Sequence, residues 1–224
     1  DLGNDAAGSN DFAESGLVAS DQMNDRPTNN YATLNPLYEW ADSGVFAEGN
    51  LSFSTGDAYG RGAATILPSS DRWYGEFYIT DYERFSIGVM NEAGANSLQG
   101  GADTNSAIIF NDGGTYYGGA SGPSYVGQLA NANIVSFALD LTNDILWFAV
   151  NGVWAQSVDV SAIEAGTATD SFTDFIGSAT PVTGGSIAMF VENNSASESM
   201  ECVANFGQDA TFTGLASPST TYPD

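Results

Sequence analysis

Catalytic chemistry has few candidate residues in this sequence. Histidine and lysine are absent from its 224 residues. A histidine proton shuttle, a histidine-activated nucleophile, a Schiff base and an imidazole metal site are therefore excluded. A carboxylate pair of the kind used in glycoside hydrolysis remains, because Asp81 and Glu83 would share a strand face if that strand continued. An alternating acidic strand would carry a further carboxylate two residues before Asp81, but Ile79 occupies that position. We therefore predict that Asp81 and Glu83 lie in a solvated turn, and we predict no catalytic residues and no enzymatic activity.

Calcium is the natural ion for an acidic chain, because hard cations take oxygen ligands from carboxylates and loop carbonyls. The candidate ligands are Asp103 in GADTN and Asp112 in NDGGT. Neither stretch has the D-x-[DN]-x-[DN]-G spacing of a calcium-binding loop. We therefore predict solvated loops and no cofactor, with calcium as the weaker alternative.

A segment rich in glycine and tyrosine, GGTYYGGASGPSYVG, is the best candidate for partner binding. Tyr116, Tyr117 and Tyr125 offer flat amphipathic rings, and the flanking glycines let the backbone approach a partner closely. Sugars or a neighbouring protein could stack on these rings. The alternative is that the tyrosines only cover one end of the domain. Trp154 and Arg61 are predicted to flank the same rim.

The charge balance limits the partners. The sequence has 28 acidic residues against four arginines and a formal net charge of −24. Such a surface repels phosphate backbones and anionic lipids because it lacks a basic patch that could displace their counterions. We predict no nucleic-acid partner and no membrane insertion. The acidity suits a protein that must stay hydrated in salty water, and an ordinary acidic secreted protein is the alternative.

The single cysteine, Cys202, rules out an internal disulfide, so packing or assembly with neighbouring chains must hold the fold. In the alternating run MECVANF it is predicted to be a small buried hydrophobe. The N-terminus has neither the positive start nor the apolar core of a signal peptide. Because the first residue is Asp1 rather than methionine, we expect the chain to be a segment of a longer polypeptide.

The spacing of short apolar runs predicts an all-β fold. Residues 1–33 lack a strand or helix period and are predicted to be a polar connector, and residues 211–224 a C-terminal tail or linker. Between them, residues 34–210 carry short strands bounded by Gly, Pro, Asn or Asp, which indicates a sandwich of two antiparallel sheets. The predicted strands are residues 51–54, 63–67, 73–79, 85–90, 106–110, 135–141, 145–150, 186–192 and 202–206.

The clearest local element is the hairpin in SFALDLTNDILWFAVNGVW. Two apolar strands flank the polar turn TND, and Asn151-Gly152 supplies the next turn through its tolerance of positive φ. Trp147 must then lie on the outer face of the sheet. We predict that its ring contacts a partner, in that another subunit covers it. The alternative is that a neighbouring segment of the same chain, such as residues 113–133, covers the ring. The rows predicted to face the core are Val135, Phe137, Leu139 and Leu141 on the first strand and Leu146, Phe148 and Val150 on the second.

Five strings in register resemble SPRY domains, and together they cover about residues 34 to 210. ALDLTNDILWFAVNGV resembles the central strand pair of the family. GRGAATILPSSDRWYGEFYI resembles its opening hairpin, FSIGVMN the Gly-centred strand that follows, and SIAMFVEN with CVANFGQ the closing pair. The resemblance implies a concanavalin-like sandwich that presents loops for recognition and commonly lacks catalytic activity. Residues 113–133 depart from the family, since this segment is longer and richer in Gly, Ser and Tyr than is typical.

The flanking segments resemble junctions in the tail, fibre and capsid-associated proteins of marine phages. They are DAAGSNDF and SDQMNDRPTNNYATLNPL before the domain and QDATFTGLASPSTTYPD after it. This resemblance implies a structural and recognition module on the virion surface, as a capsid fibre, decoration or tail appendage. The expected partners are other virion proteins, further copies of the chain in a homo-oligomer, and a host-surface glycan or receptor. The alternative is a carbohydrate-binding or carbohydrate-degrading domain of a secreted marine bacterial protein.

Overall fold

The chain folds as a β-sandwich of two antiparallel sheets, which confirms the predicted fold class. The computed structural model describes residues 30–38, 43–91, 106–117, 120–121, 128–155, 158–167 and 187–217. Short strands dominate because β-branched and aromatic runs alternate with turn-forming Gly, Asn and Asp. Within these ranges, no helix has the length and apolar character needed to cross a membrane.

The larger sheet has seven strands, numbered here along the chain. Its central strands are the longest, and they carry the residues of the candidate site. Across the sheet the order is β1 (Gly44–Ala47), β2 (Ser52–Thr55), β13 (Met200–Asn205), β4 (Arg72–Asp81), β9 (Ile134–Asp140), β10 (Ile145–Val150) and β11 (Val153–Trp154).

The smaller sheet has six strands, and its last two come from the segment predicted to be a binding loop. Part of residues 113–133 thus forms strands of the sheet. Thr115 and Tyr116 favour β-structure, and they pair with Ile109 and Ile108. Across the sheet the order is β3 (Gly60–Ala63), β12 (Ile187–Asn193), β5 (Ser86–Asn91), β6 (Ser106–Phe110), β7 (Thr115–Tyr117) and β8 (Ala120–Ser121).

The main core lies between the two sheets. Phe53, Phe77 and Phe137 from the larger sheet and Ile87 and Met189 from the smaller one are each no more than 1% exposed. Burial of a side chain of this size contributes about 1.5–3 kcal/mol. The two sheets are thus held together by apolar packing.

The predicted hairpin is confirmed in both register and facing. The cross-strand pairs are Leu139 with Leu146, Phe137 with Phe148, and Val135 with Val150, and all six residues pack in the main core. The turn after β10 uses Asn151 and Gly152 at φ values of 51° and 75°. Both residues therefore adopt the left-handed conformation that a tight hairpin turn of this kind requires.

The strand predicted at residues 63–67 is wrong in its bounds. The strand is β3, which ends at Ala63 and begins at Gly60. Glycine normally weakens a strand, but the ring of Phe53 lies where a side chain on Gly62 would project, 3.2 Å from an added β-carbon. Local propensity missed this close approach because it depends on a distant residue.

The described part of the chain has a 3₁₀-helix at Glu48–Asn50 and one short α-helix, α1 (Val160–Ala165), which was not predicted. Asp159 is its N-cap and accepts a hydrogen bond from the Ser161 backbone amide at 2.9 Å, while Gly166 closes it at φ 63°. An Asp and a Gly at these two positions are the usual signals of a helix start and stop. The helix packs on the outer face of the larger sheet and forms one wall of the candidate site.

Segments near the predicted domain boundaries pack on the sandwich. The carbonyl of Ala32, which is 3% exposed, accepts a hydrogen bond from Gln208 Nε2 at 2.8 Å. Phe212 is 2% exposed and packs against Leu51 and Val203. The boundaries themselves stay a prediction, and most of the predicted N-terminal connector lies outside the described residues.

Candidate functional site

A cleft of about 380 Å³ opens on the outer face of the larger sheet, and we call it the outer cleft. It lies where α1 and β11 border the central strands. Its volume is within the range of sites that bind small ligands. The residues that line it include Arg72, Tyr74, Ala138, Asp140, Trp147, Trp154, Ile163 and Glu164.

The strand register places an alanine between two aromatic rings. Ala138 on β9 pairs with Tyr74 on β4 and with Trp147 on β10, so these three side chains leave the sheet on the same face. Ala138 carries only a methyl group. Among the described residues, the space above it therefore stays open between the two larger side chains.

Trp147 lies on the outer face as predicted, but it is only 5% exposed. Its neighbours along β10, Leu146 and Phe148, pack in the main core on the opposite face. Ile163 of α1 lines the same cleft, so α1 of the same chain lies on the sheet face that carries Trp147. The low exposure of Trp147 agrees with the alternative that a segment of the same chain covers it, and a contact with another subunit at Trp147 stays a prediction.

Tyr74 and Trp154 form an aromatic rim at the cleft. Their ring centroids lie 6.5 Å apart and their planes are tilted by 58°. Trp154 pairs with Ala149 immediately after the Asn151-Gly152 turn, which holds it beside β10. Tyr74 is 50% exposed, so its ring is accessible to an incoming group.

An ion pair joins α1 to the sheet at the cleft. Arg72 Nε lies 2.8 Å from Asp140 Oδ2, and Arg72 also donates a 2.5 Å hydrogen bond to the backbone carbonyl of Glu164. Burial acts to raise the pKa of Asp140, but hydrogen bonds from Asn143 and Thr142 and the charge of Arg72 together hold that pKa below its ordinary value. Asp140 is therefore an anionic structural acceptor at neutral pH.

A second carboxylate lies beside the rim. Glu76 accepts hydrogen bonds from the Tyr74 hydroxyl at 2.5 Å, the Ser136 hydroxyl at 3.2 Å and the Asn205 side-chain amide at 3.2 Å. All three of these donors are neutral groups. Glu76 is thus a carboxylate beside the Tyr74 hydroxyl that is held by neutral donors.

Arg61 is not among the residues that line the outer cleft, and its predicted place at the rim of Tyr116, Tyr117 and Tyr125 stays a prediction. Arg61 is 1% exposed on β3 of the smaller sheet, opposite Glu192 on β12, and its Nε donates a 2.7 Å hydrogen bond to the Glu192 carboxylate. Its guanidinium carbon also lies 5.0 Å from the centroid of the Phe190 ring. Arg61 is therefore a buried structural cation, since its charge is already paired within the sheet.

The three candidate tyrosines are not part of the outer cleft as described. Tyr116 lies on β7 of the smaller sheet, and its ring contacts Phe110 edge-on at 6.1 Å. Tyr117 pairs through its backbone with Ala107 and Ala120. Tyr125 lies outside the described residues. Partner binding by these tyrosines stays a prediction.

Asp81 and Glu83 do not share a strand face, because β4 ends at Asp81. They nevertheless converge on one group: the Ser199 hydroxyl lies 2.5 Å from Asp81 Oδ2 and 3.0 Å from Glu83 Oε2. The Ser199 backbone amide donates a further bond to Glu83 at 3.2 Å. The two carboxylates thus hold the start of β13 in place, and neither lines the outer cleft.

The other candidate chemical groups are structural where they are described. Asp112 accepts the Gly114 backbone amide at 2.7 Å within a turn, and Asp103 lies outside the described residues. In the described part of the chain, no group of three or more His, Cys, Asp or Glu could hold a metal ion. Cys202 is fully buried, as predicted, and burial raises the pKa of its thiol well above the usual range.

Sequence reasoning found Trp147 and Trp154 but missed the residues that bring them into one site. Tyr74 and Ala138 become neighbours of Trp147 only through the strand register, which local patterns do not specify. The α1 wall had a detectable signal in its two caps, Asp159 and Gly166. The site is therefore partly visible in the sequence and is completed by the sheet topology.

Solved SPRY domains share this fold. The SPRY domain of human HERC1 superposes with a TM-score of 0.60 at 14% sequence identity, covering 79% of this chain and 99% of that domain. The PSpry domain of TRIM65 gives a TM-score of 0.53 at 10% identity, covering 79% of this chain and 92% of that one. No protein-family model and no curated protein matches the sequence significantly. At these identities the likeness shows the fold: the chain is a SPRY-like β-sandwich.

Proposed function

We propose that this chain is a non-catalytic recognition module that binds a protein partner through the outer cleft. The observation that carries the proposal is the aromatic rim of Tyr74 and Trp154 beside a cleft of about 380 Å³. Tyrosine and tryptophan are enriched among the residues that dominate the energy of protein interfaces. The SPRY-like fold supports the proposal, because the sequence resemblance to that family implies a module that presents surfaces for recognition.

Site-specific photo-cross-linking tests this function. Tyr74 is replaced by a photoreactive phenylalanine analogue, and Tyr59 serves as the matched control, since the two tyrosines are 50% and 46% exposed. We expect one defined protein from the native source to cross-link at position 74 and not at position 59. Equal labelling at both positions, or none at position 74, would contradict partner binding through the cleft.

Absence of catalysis is part of the proposal. It is supported by the lack of histidine and lysine and by the bonding of both Asp81 and Glu83 to Ser199. The test is an assay of the purified chain on marine polysaccharides, with no polymer shortening expected. Shortening that disappears in both the Asp81→Asn and the Glu83→Gln variants would overturn the non-enzyme assignment.

We further propose that the module belongs to the surface of a phage particle, as a capsid fibre, decoration or tail appendage. The support comes from the resemblance of the flanking segments to virion proteins and from the net charge of −24, which favours hydration in salty water. Other virion proteins and further copies of the chain would be its partners. Mass spectrometry and immunogold labelling of purified particles provide the test, and a chain absent from the particles would refute this location.

Carbohydrate binding is the second candidate function. It is favoured by the accessible ring of Tyr74 next to Trp154, because sugars stack on flat aromatic faces. A host-surface glycan or a marine polysaccharide would be the ligand. Saturable binding on a glycan array that is lost in the Trp154→Ala variant and kept in Tyr59→Ala would favour this function over protein binding.

A further inference from the structure

We infer that the outer cleft binds a basic side chain, arginine or lysine, supplied by the protein partner. The inference deepens the proposed function and rests on it, because it names the chemistry of the group that enters the cleft. Two independent features carry it. One is the aromatic lining, and the other is the charge of the residues around it.

The aromatic lining attracts cations. Tyr74, Trp147 and Trp154 all line the cleft, and ring faces carry the negative part of the aromatic quadrupole. A guanidinium or ammonium group within about 6 Å of such a ring centroid is stabilised, and tryptophan is the best partner. The 6.5 Å separation of the Tyr74 and Trp154 centroids lets a group that enters at the rim contact both rings.

The charges around the cleft favour the same occupant. Arg72 is the one cation among the lining residues, and its charge is offset by Asp140 at 2.8 Å. Glu164 is an exposed residue of α1 that also lines the cleft and adds a negative charge there, and Glu76 adds another beside the Tyr74 hydroxyl. With a net charge of −24, the whole chain also attracts basic partners and repels acidic ones.

These features separate a basic side chain from a neutral sugar. A sugar would use the rings alone, so its binding would depend little on salt or on Glu164. A cation would use both the rings and the carboxylate, and added salt would weaken its binding by screening the charges. The charge dependence of binding is therefore the decisive measurement.

The experiment uses capped tripeptides as probes and the complete chain labelled with ¹⁵N at tryptophan. The probes are acetyl-Gly-Arg-Gly-amide, acetyl-Gly-Lys-Gly-amide, the neutral acetyl-Gly-Leu-Gly-amide and a methyl glucoside. NMR follows the indole N–H signals of the four tryptophans during each titration. We expect the arginine and lysine peptides to shift the Trp147 and Trp154 signals, with weaker binding as salt is raised.

Variants locate the contacts. Trp154→Ala is expected to weaken binding of the arginine peptide about tenfold, with Trp154→Phe intermediate, because the ring supplies the cation–π attraction. Glu164→Gln is expected to weaken it roughly threefold through loss of an exposed charge. Tyr59→Ala and Glu201→Gln are the matched aromatic and acidic controls, since both residues are exposed and lie away from the cleft.

The inference is overturned if the neutral peptide binds as well as the basic ones, if Glu164→Gln and salt leave binding unchanged, or if only the sugar shifts the indole signals. It is also overturned if no probe shifts them. None of these results decides whether a protein partner binds, because the cross-linking comparison of positions 74 and 59 judges that separately. Failure of the inference is therefore distinguishable from failure of the proposed function.

Discussion

Arg61 and Glu192 form an ion pair in which both side chains are buried, at 1% and 0% exposed. The two residues are cross-strand neighbours on β3 and β12. Arg61 Nη1 also lies 3.3 Å from the sulfur of Met90. Removing two charges from water is costly, and their attraction offsets that cost only while both are present. One of the four arginines of the chain is thus committed to the interior of the fold.

Single and double replacements of this pair should differ in their effects. Arg61→Met or Glu192→Leu alone is expected to lower the free energy of unfolding by about 3–5 kcal/mol, because each removes the oppositely charged partner of a buried charge. The double variant should lose less free energy of unfolding than either single variant. Urea unfolding of the four proteins gives the coupling energy. A double variant that loses the sum of the two single effects would show that the pair is not coupled.

Gly166→Ala should destabilise the chain more than Gly214→Ala. Both glycines have positive φ, 63° and 87°, so both replacements carry the backbone cost of about 1 kcal/mol. A β-carbon on Gly166 would also lie 2.5 Å from Arg72 Nη2 and 2.6 Å from Asp140 Oδ2, whereas nothing lies within 4 Å at Gly214. The difference between the two unfolding free energies measures how tightly α1 packs on the ion pair, and equal values would contradict that packing.

Asp140 should contribute to the acid sensitivity of the fold. Its pKa in the folded chain is lower than the ordinary 3.8. Its contribution to stability is therefore complete above the unfolded-state pKa and is lost as the pH falls through the folded-state pKa. The Asp140→Asn variant should have a lower free energy of unfolding than the wild type at neutral pH. This difference in free energy should become smaller below about pH 4.

Unfolding free energies measured across this pH range check the prediction. Asp57→Asn, at an exposed loop carboxylate, is the control. A gap between Asp140→Asn and the wild type that stays constant with pH would contradict the proposed linkage.

Trp147→Ser should weaken the fold without changing the oligomeric state of the isolated chain. The side chain is 5% exposed within one chain, so its loss leaves a cavity beneath the outer cleft. A loss of about 3 kcal/mol or more is expected, and Trp147→Phe should lose less because it refills part of the space. Thermal unfolding and light scattering check both points. A smaller oligomer with unchanged stability would instead indicate a subunit interface at Trp147.

Periodicity predicted the parts of the fold that depend on local patterns. The facing of Phe137 and Phe148 and the turn at Asn151-Gly152 follow from alternation and from φ preferences, and both are confirmed. The bounds of β3 were wrong because its glycines are tolerated only where Phe53 packs against them. That contact joins residues on different sheets, and no local pattern encodes it.

The candidate site was harder to predict for the same reason. Trp147 and Trp154 were singled out as unusual aromatic residues, but Tyr74 lies far from them in sequence and meets them through the pairing of β4, β9 and β10. The burial of Arg61 was not predicted either, because its partner, Glu192, lies 131 residues away. Residue type indicates which groups can bind, and topology decides which of them meet.

Truncation at the N-terminus tests where the packed domain begins. Deleting residues 1–30 is expected to cost little stability, because residues 1–33 lack the apolar periodicity of a core segment. Deleting residues 1–34 should cost about 3 kcal/mol more, since it also removes the buried Leu34 side chain. It further removes the hydrogen bond from the Leu34 amide to the Asn50 carbonyl at 2.8 Å and the Ala32 carbonyl that accepts a hydrogen bond from Gln208.

Leu34→Ala in the complete chain is the control, and thermal unfolding is the measurement. A loss of more than about 3 kcal/mol on deletion of residues 1–30 alone would place the connector within the core.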